Sequence, residues 1–557
     1  MSGLPDFYVR TSQFFRSAIS YRHKNPLFQG VFQFQLDPEP AGGMMTAVTV
    51  GTVGKPIDGS QPSSIKNHTS RRMKMKFMPG KTLAAFFFAA FCLSAVNLSA
   101  QSPVTLQADV NNPGRVMPAE FCGLSYEIKL VLTNATTGKH YFRPDNQPLI
   151  NAFKVLGIKH LRVGGNTAER STVDIPGKAD IDNLFAFAKA ADLKVIYTVR
   201  MESNAPAASA AVAKYVMDTY KPYVDCLTIG NEPDKPWKYP VFAEEWKKYA
   251  DTILLPDYTP DAKFCGPSAT GRGVEWAKSF ADDLGGWDHL AYVTQHDYPL
   301  KNGELVTNAV LAAEGRARLL STDMYQIYQK FHDVFVPAVK AKGAQYRLEE
   351  ANSYSRGGAV GVSDNFTESL WIVDYLYWWA GHDALGINFH TGERVLRGLP
   401  GPDRPNVYTA FTSSSKGYTF LPTSYGMKLF NLGCHGRLVP VGVTNNADKV
   451  NLVAYGTLDS DKTLYVTVLN REFGPAAREA KVTVNGGKPL ARADVIFMTA
   501  PNGDITTING VTIGGAEIKD DGSWKGKWTK LPPASKDGSV TVTVPAASAA
   551  VIKIQGK

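Results

Sequence analysis

The sequence predicts an α/β chain: a (β/α)8 barrel followed by an antiparallel β-sandwich. Three observations carry this expectation. Eight short apolar runs rich in β-branched residues recur between residues 120 and 390, and segments of helical period lie between them. From about Arg437 the texture changes to β-rich runs separated by Gly, Asn, Asp and Pro. Eight strand–helix alternations are the count of a closed parallel barrel. A doubly wound open sheet would alternate in the same way, but no Gly-rich phosphate loop follows the first strand.

In chain order, the first feature is a leader. Residues 1–100 carry 11 Lys/Arg and 4 Asp/Glu, so most of the formal charge of +9 belongs to them. The rest holds 49 basic and 47 acidic residues, which argues against a nucleic-acid or other polyanionic partner. "MKMKFMPGK" (73–81) is a basic n-region, 82–96 is an uncharged apolar segment, and "NLSAQ" (97–101) offers cleavage after Ala100. Residues 73–100 therefore read as a signal peptide, which makes the mature chain secreted or periplasmic, with no stable membrane insertion after cleavage. The apolar run is short for a membrane span, which needs about 20 residues; an N-terminal membrane anchor is the other reading. Signal peptides open a chain, so translation is expected to start at Met73, Met75 or Met78, with residues 1–72 a non-native leader.

Next comes "VTLQADV" (104–110), an alternating run within 101–119 that is expected to join the C-terminal sandwich. The barrel is expected over 120–433. Its strand candidates are "EFCGLSYEI", "HLRVGGN", "KVIYTVR", "DCLTIGNE", "KFCGPS", "YVTQHDY", "QYRLEEANS" and "ALGINFH". The clearest helices between them are 181–193, 210–222, 322–343 and 369–383; the Trp-rich stretch 371–383 reads as a packed helix face and not as a sugar platform. The sandwich is expected over 434–557. Beyond Cys92, Cys122, Cys226, Cys265 and Cys434 are widely spaced with no CxxC pair, so they read as buried thiols or one disulfide, and neither a metal nor a cofactor is expected.

Barrel active sites lie at the carboxyl ends of the strands. The polar residues there are Arg162 and Asn166, Arg200, Asn231 and Glu232, His296 and Tyr298, Glu350 and Asn352, and Asn388 and His390. Glu232 ends strand four and Glu350 strand seven, positions that face each other across a barrel mouth. A carboxyl pair in that arrangement suits glycoside hydrolysis, one group protonating the leaving oxygen and the other attacking the anomeric carbon. The plainer readings are a solvated or N-capping carboxylate for each Glu, core histidines for His296 and His390, packing for Tyr298 and a structural ion pair for Arg162.

"IGNEP" on strand four and a Glu ending strand seven resemble clan A glycoside hydrolases. With "LRVGGN", "TQHDY", "EEANSYSRGGAVGVSD" and "GINFH" in order, residues 121–390 resemble glycoside hydrolase family 79, which holds β-glucuronidases and heparanases. The resemblance implies Glu232 as general acid/base, Asn231 as partner of the sugar 2-hydroxyl, Glu350 as nucleophile and Tyr298 as the tyrosine that orients it. His296 stands beside that tyrosine, His390 and Asn166 at the sugar pocket, Asn352 after the nucleophile, and Tyr408 on the loop that recognises the sugar carboxylate. Glu350 matches the nucleophile by its distance from Asn352-Ser353, and strand alternation would turn Glu349 to the opposite face. Two departures bear on sugar and aglycone preference: Glu349 stands where the family has Gly, and the tyrosine expected five residues after the nucleophile is replaced by Ser355, with Tyr354 beside it.

The expected function is a secreted, metal-independent, retaining exo-β-glucuronidase acting on terminal glucuronic acid, with or without 4-O-methylation, in a glycan or glycoside. Arg394, Arg397 and Arg404 are candidates for pairing with the sugar carboxylate, or surface charges. A β-xylosidase or α-L-arabinofuranosidase would share the carboxyl pair, and a non-catalytic glycan-binding barrel would be expected to have lost one of its members. N-terminal sequencing of the protein exported from its own host should begin at Gln101; a mature chain starting upstream of Met73 would refute the signal assignment.

Overall fold

The computed structural model describes residues 102–395, 406–486, 490–532 and 538–556. The signal peptide, the leader, Arg397 and Arg404 lie outside the described residues. Strand β1 (Val104–Ala108) precedes the barrel. The barrel strands follow, each with its helix: β2 (Cys122–Glu127) and α1 (Gln147–Leu156), β3 (His160–Gly164) and α2 (Lys178–Ala191), β4 (Lys194–Val199) and α3 (Pro206–Tyr220). Then come β5 (Val224–Ile229) and α4 (Tyr239–Ile253), and β6 (Phe264–Ala269) and α5 (Val274–Leu284). β7 (Leu290–Asp297) is followed by two helices, α6 (Ala309–Leu319) and α7 (Met324–Ala341). β8 (Tyr346–Ala351), α8 (Phe366–Gly381) and β9 (Ile387–His390) complete the circuit, and β2 to β9 close into a barrel in chain order with every pairing parallel.

The strands are buried almost throughout, as parallel strands covered by helices on one side and filled by side chains on the other must be. Their register is not uniform. Across the β7–β8 pairing Gln295 stands opposite Leu348 and His296 opposite Glu350, which leaves Glu349 as an extra, unpaired residue. This is a β-bulge, and it re-aims the side chains at the end of β8. The bulge overturns the alternation argument that would have turned Glu349 away from the site. Cys226 on β5 and Cys265 on β6 form a disulfide between neighbouring strands, while Cys122 and Cys434 are free thiols.

After the barrel come the hairpin β10 (Phe411–Ser414) and β11 (Gly417–Phe420), then α9 (Pro422–Gly433). The C-terminal strands are β12 (Arg437–Val439), β13 (Val441–Asn445), β14 (Leu452–Leu458), β15 (Leu464–Asn470), β16 (Ala480–Asn485) and β17 (Leu490–Thr499), then β18 (Thr512–Ile513), β19 (Thr529–Lys530), β20 (Ser539–Val544) and β21 (Ser548–Gly556). They make two sheets, ordered β13-β1-β16-β20 and β12-β14-β15-β21-β17-β18, with β19 also on β17. β1 lies between β13 and β16, antiparallel to the first and parallel to the second. The two sheets enclose a core of Val, Leu, Ile and Ala that includes Val104 and Leu106 of β1.

Helix α8 is buried on every side from Phe366 to Ala380. A helix apolar all round belongs inside a protein, and α8 lies between barrel and sandwich, so its tryptophans pack and do not form a platform. Tyr377 stacks on Tyr455 of β14 with ring centroids 4.7 Å apart. Beside them Asp374, buried in α8, pairs with buried Arg471 at 2.9 Å and accepts hydrogen bonds from Tyr325 and Tyr455. No helix among the described residues is long and apolar enough to cross a membrane.

Arg471→Met would leave Asp374 buried without its counter-charge and should cost about 3–5 kcal/mol of unfolding free energy in urea, with part recovered by adding Asp374→Leu. A loss below about 1 kcal/mol would mean that the pair behaves as a surface ion pair.

Candidate active site

Two glycines in "LRVGGN" make the floor of the site. A Cβ on Gly164 would meet the Arg162 guanidinium at 2.7 Å, and one on Gly165, at φ +71°, would meet the Glu127 carboxylate at 2.6 Å. Their lack of side chains admits Arg162 and Glu127 to the barrel axis. Arg162, fully buried on β3, donates from Nη1 to Glu350 Oε2 at 2.8 Å and to Ser125 Oγ at 3.1 Å. Its Nη2 donates to Asn231 Oδ1 at 2.6 Å. One guanidinium thus ties the carboxylate of β8 to the turn that follows β5. Tyr298, just past β7, donates to Glu350 Oε1 at 2.8 Å.

The turn after β5 begins at Gly230 and places Glu232 itself in the left-handed region at φ +48°. A glutamate there is strained, a condition that persists where surrounding structure over-determines the backbone. The Glu232 backbone N–H donates to Ser268 O at 2.9 Å, which holds the turn against β6. Its side chain is 10% exposed. Oε1 lies 3.3 Å from His296 Nδ1, and Oε2 is in contact with Lys235 Nζ. Acceptor atoms of Glu232, His296 and Glu350 all lie within 4.8 Å of one another. Such a trio could surround a cation, but the charges of Arg162 and Lys235 beside it, and of His296 when protonated, repel a further positive ion.

Electrostatics separates the two carboxylates and the histidine between them from ordinary ones. Burial works to raise Glu350, but His390, His296 and Arg162 with the Tyr298 hydroxyl outweigh it, and the carboxyl is held far below the usual range. Burial likewise opposes ionisation of Glu232, and the His296 hydrogen bond, with the His296 and Lys235 charges, brings it below the usual range despite Glu350. Burial would lower His296, yet Glu350, Glu232 and Glu349 raise it to about 9. The surrounding carboxylates thus favour the imidazolium form of His296.

Glu349 also reaches the barrel interior. It accepts from Ser268 Oγ and, at 3.4 Å, from Thr228 Oγ1, and lies 3.7 Å from His296 Nε2. Its carboxylate thus sits beneath His296, away from the mouth. His390 Nδ1 is 3.7 Å from Glu350 Oε2 and its Nε2 3.8 Å from Glu127 Oε1. Tyr408 packs its ring 6.3 Å from Tyr298 and 6.2 Å from His390. Asn166 accepts from Lys235 Nζ at 2.7 Å.

Not every residue chosen from the sequence faces the mouth. Asn352 is fully buried and donates to the His390 carbonyl at 3.0 Å, so its amide is committed to the end of β9. Arg394 pairs with buried Asp364 at 2.9 Å, which engages its charge within the chain. Arg200 donates to two backbone carbonyls, and Asn388 lies between Arg347 and His160 deeper in the barrel. Tyr354 is buried, with its hydroxyl beside Gly315 of α6. Glu127, which ends β2 and accepts from Thr167 N and Oγ1, was not among the sequence candidates. Nor was Lys235, which lies three residues beyond Glu232. Both belong with the mouth, and a cavity of about 380 Å³ opens beside it, lined by Asn166, Glu169, Arg170, Glu202, Glu232 and Lys235 among others.

Comparison with known proteins bears on both halves of the chain. Residues 454–551 match the family model described as the glycosyl hydrolase family 79 C-terminal beta domain. No curated protein matches the chain in sequence. Among solved structures, a 4-O-α-L-rhamnosyl-β-D-glucuronidase from Fusarium oxysporum is similar in fold, with a TM-score of 0.60 and 16% identity over 81% of this chain and 100% of its own. A GH51 arabinofuranosidase from Xanthomonas axonopodis pv. citri matches with a TM-score of 0.58 and 14% identity over 81% and 100%. An α-L-arabinofuranosidase from Thermotoga maritima matches with a TM-score of 0.56 and 14% identity over 81% and 99%. These structural likenesses bear on the fold. Together with the carboxyl pair at the barrel mouth, the family match establishes the class: the C-terminal domain is that of glycosyl hydrolase family 79, and the chain is a glycoside hydrolase.

Proposed function

We propose that the chain is a secreted retaining exo-β-glucuronidase, removing terminal glucuronic acid by double displacement. The observation that carries the mechanism is the spacing of the carboxyl pair. One oxygen of Glu232 and one of Glu350 lie within 4.8 Å of each other, a close approach that suits the shorter of the two known separations. Retaining enzymes hold their carboxyl groups about 5–5.5 Å apart, whereas inverting ones leave about 6.5–9.5 Å for a water.

Glu350, kept ionised by His390, His296 and Arg162 with the Tyr298 hydroxyl, attacks the anomeric carbon while Glu232, which takes up a proton as the substrate binds, gives that proton to the glycosidic oxygen. The C1–O bond breaks, a glycosyl ester forms on Glu350, and the leaving group departs with the proton. Glu232 then takes a proton from water, which releases the sugar with its original configuration and restores both carboxyl groups. In this reading Asn231, held by Arg162, serves the sugar 2-hydroxyl. Glu127, His390, Tyr298 and Tyr408 surround the place where the ring would lie. The similar Fusarium oxysporum structure is of a glucuronidase by its title, which supports a glucuronic acid substrate.

The test is hydrolysis of p-nitrophenyl β-D-glucuronide beside the β-xyloside, β-glucoside and α-L-arabinofuranoside. Glucuronide-selective turnover, reduced in Glu350→Gln by about 10²-fold or more, is the expected outcome. Turnover of a neutral pentoside alone would keep the mechanism and replace the substrate, and no turnover of any would favour a glycan-binding role. The electrostatics adds a pH test. Arg162→Met removes a positive charge from Glu350, so its carboxyl rises and the acid limb of kcat/KM moves to higher pH, since activity needs the ionised form. An unmoved acid limb would show that Arg162 is structural only.

A further inference from the structure

Both oxygens of the Glu232 carboxylate are engaged in this structure. Oε1 faces His296 of β7, which has no exposed surface. Oε2 faces Lys235, whose side chain is 51% exposed and has a second acceptor in Asn166 Oδ1 at 2.7 Å. A glycosidic oxygen must reach one of these two positions. His296 cannot leave without vacating a packed interior, whereas the Lys235 ammonium can swing out on its flexible stem and keep its hydrogen bond to Asn166.

Resting on the reading of Glu232 as acid/base, we propose that Lys235 is a positioning residue that occupies the proton-transfer side of Glu232 in the empty enzyme and is displaced by the leaving group. Its position on the wall of the cavity beside the mouth, with Glu169, Arg170 and Glu202, makes that cavity the place the leaving group enters. Departure of the ammonium removes a charge that favours ionised Glu232, so substrate entry itself promotes the acid form. After the leaving group departs, the returning ammonium favours the carboxylate that the second step uses as a base.

The other charged and titratable groups facing Glu232 do not move in this scheme: His296 on β7, Glu350 and Glu349 on β8, Tyr298 and Tyr408 at the rim, and Arg162 through Asn231. Lys235 stands apart from these by its exposure and its alternative partner.

The experiment compares the full chain with Lys235→Met and Lys235→Arg. The pH midpoint of the Glu232 carboxyl is read directly from ¹³C-labelled glutamate side chains, the signal being assigned by its loss in Glu232→Gln. The expected result is an upward shift of that midpoint in Lys235→Met and its return towards the original in Lys235→Arg. The alkaline limb of kcat/KM should follow, since the acid stays protonated to higher pH. A Glu232 midpoint that is the same in Lys235→Met as in the unaltered chain would overturn the proposal. So would a shifted midpoint with an unmoved alkaline limb, because the displaced ammonium would then have no part in proton transfer. If the midpoint shifts but no glycoside is turned over even by the unaltered chain, the acid/base reading of Glu232 fails, and the displacement with it, while the Lys235–Glu232 ion pair stands. Near-UV circular dichroism of each variant separates these outcomes from misfolding.

Discussion

The Arg162 guanidinium is the constraint on which the rest of the site depends. It is fully buried and bonds at once to Glu350, Ser125 and Asn231. A cation without contact with water needs carboxylate partners, and a buried carboxylate needs a cation. That mutual requirement draws β3, β8 and the turn after β5 to one point on the barrel axis. With His390 and His296, the same contact keeps Glu350 ionised, so a force that assembles the site also contributes to its chemistry. Gly164 and Gly165 are the local condition for it, since side chains there would exclude Arg162 and Glu127.

The second determinant is irregularity. A regular β8 would turn Glu349 and Glu350 to opposite faces, yet the bulge brings both to the interior. Glu349 then supports His296 from beneath, with Ser268 and Thr228 as its donors, while Glu350 meets the mouth. The left-handed backbone of Glu232 is a comparable departure on the opposite side. Both irregular segments lie at the functional end of the barrel, where strain is tolerated because surrounding contacts over-determine it.

The sandwich acts on this site at a distance. It covers α8, which otherwise would present aromatic and aliphatic residues on every side to water. The Asp374–Arg471 pair and the Tyr377–Tyr455 stack orient that contact. Asp297 at the end of β7 accepts from Tyr375 of the same helix at 2.6 Å, so the helix that binds the sandwich also braces the strand carrying His296.

Much of this was legible in the chain itself. Period and turn residues marked all eight barrel strands and the change to β-rich texture, because burial of one helix face or of both strand faces leaves its mark on consecutive residues. Reading the carboxyl ends of those strands then gave Glu232, Glu350, Asn231, His296 and Tyr298 without any knowledge of distance. What only the tertiary structure decided concerns partners remote in sequence. That Asn352 turns to the His390 carbonyl, that Arg394 is matched by Asp364, and that Glu127 and Lys235 join the mouth depend on pairings across the barrel or its loops. The direction of Glu349 depends on register, a property of two strands together. Side-chain type and local period belong to the chain; charge pairing, register and pKa belong to whatever the fold places beside it.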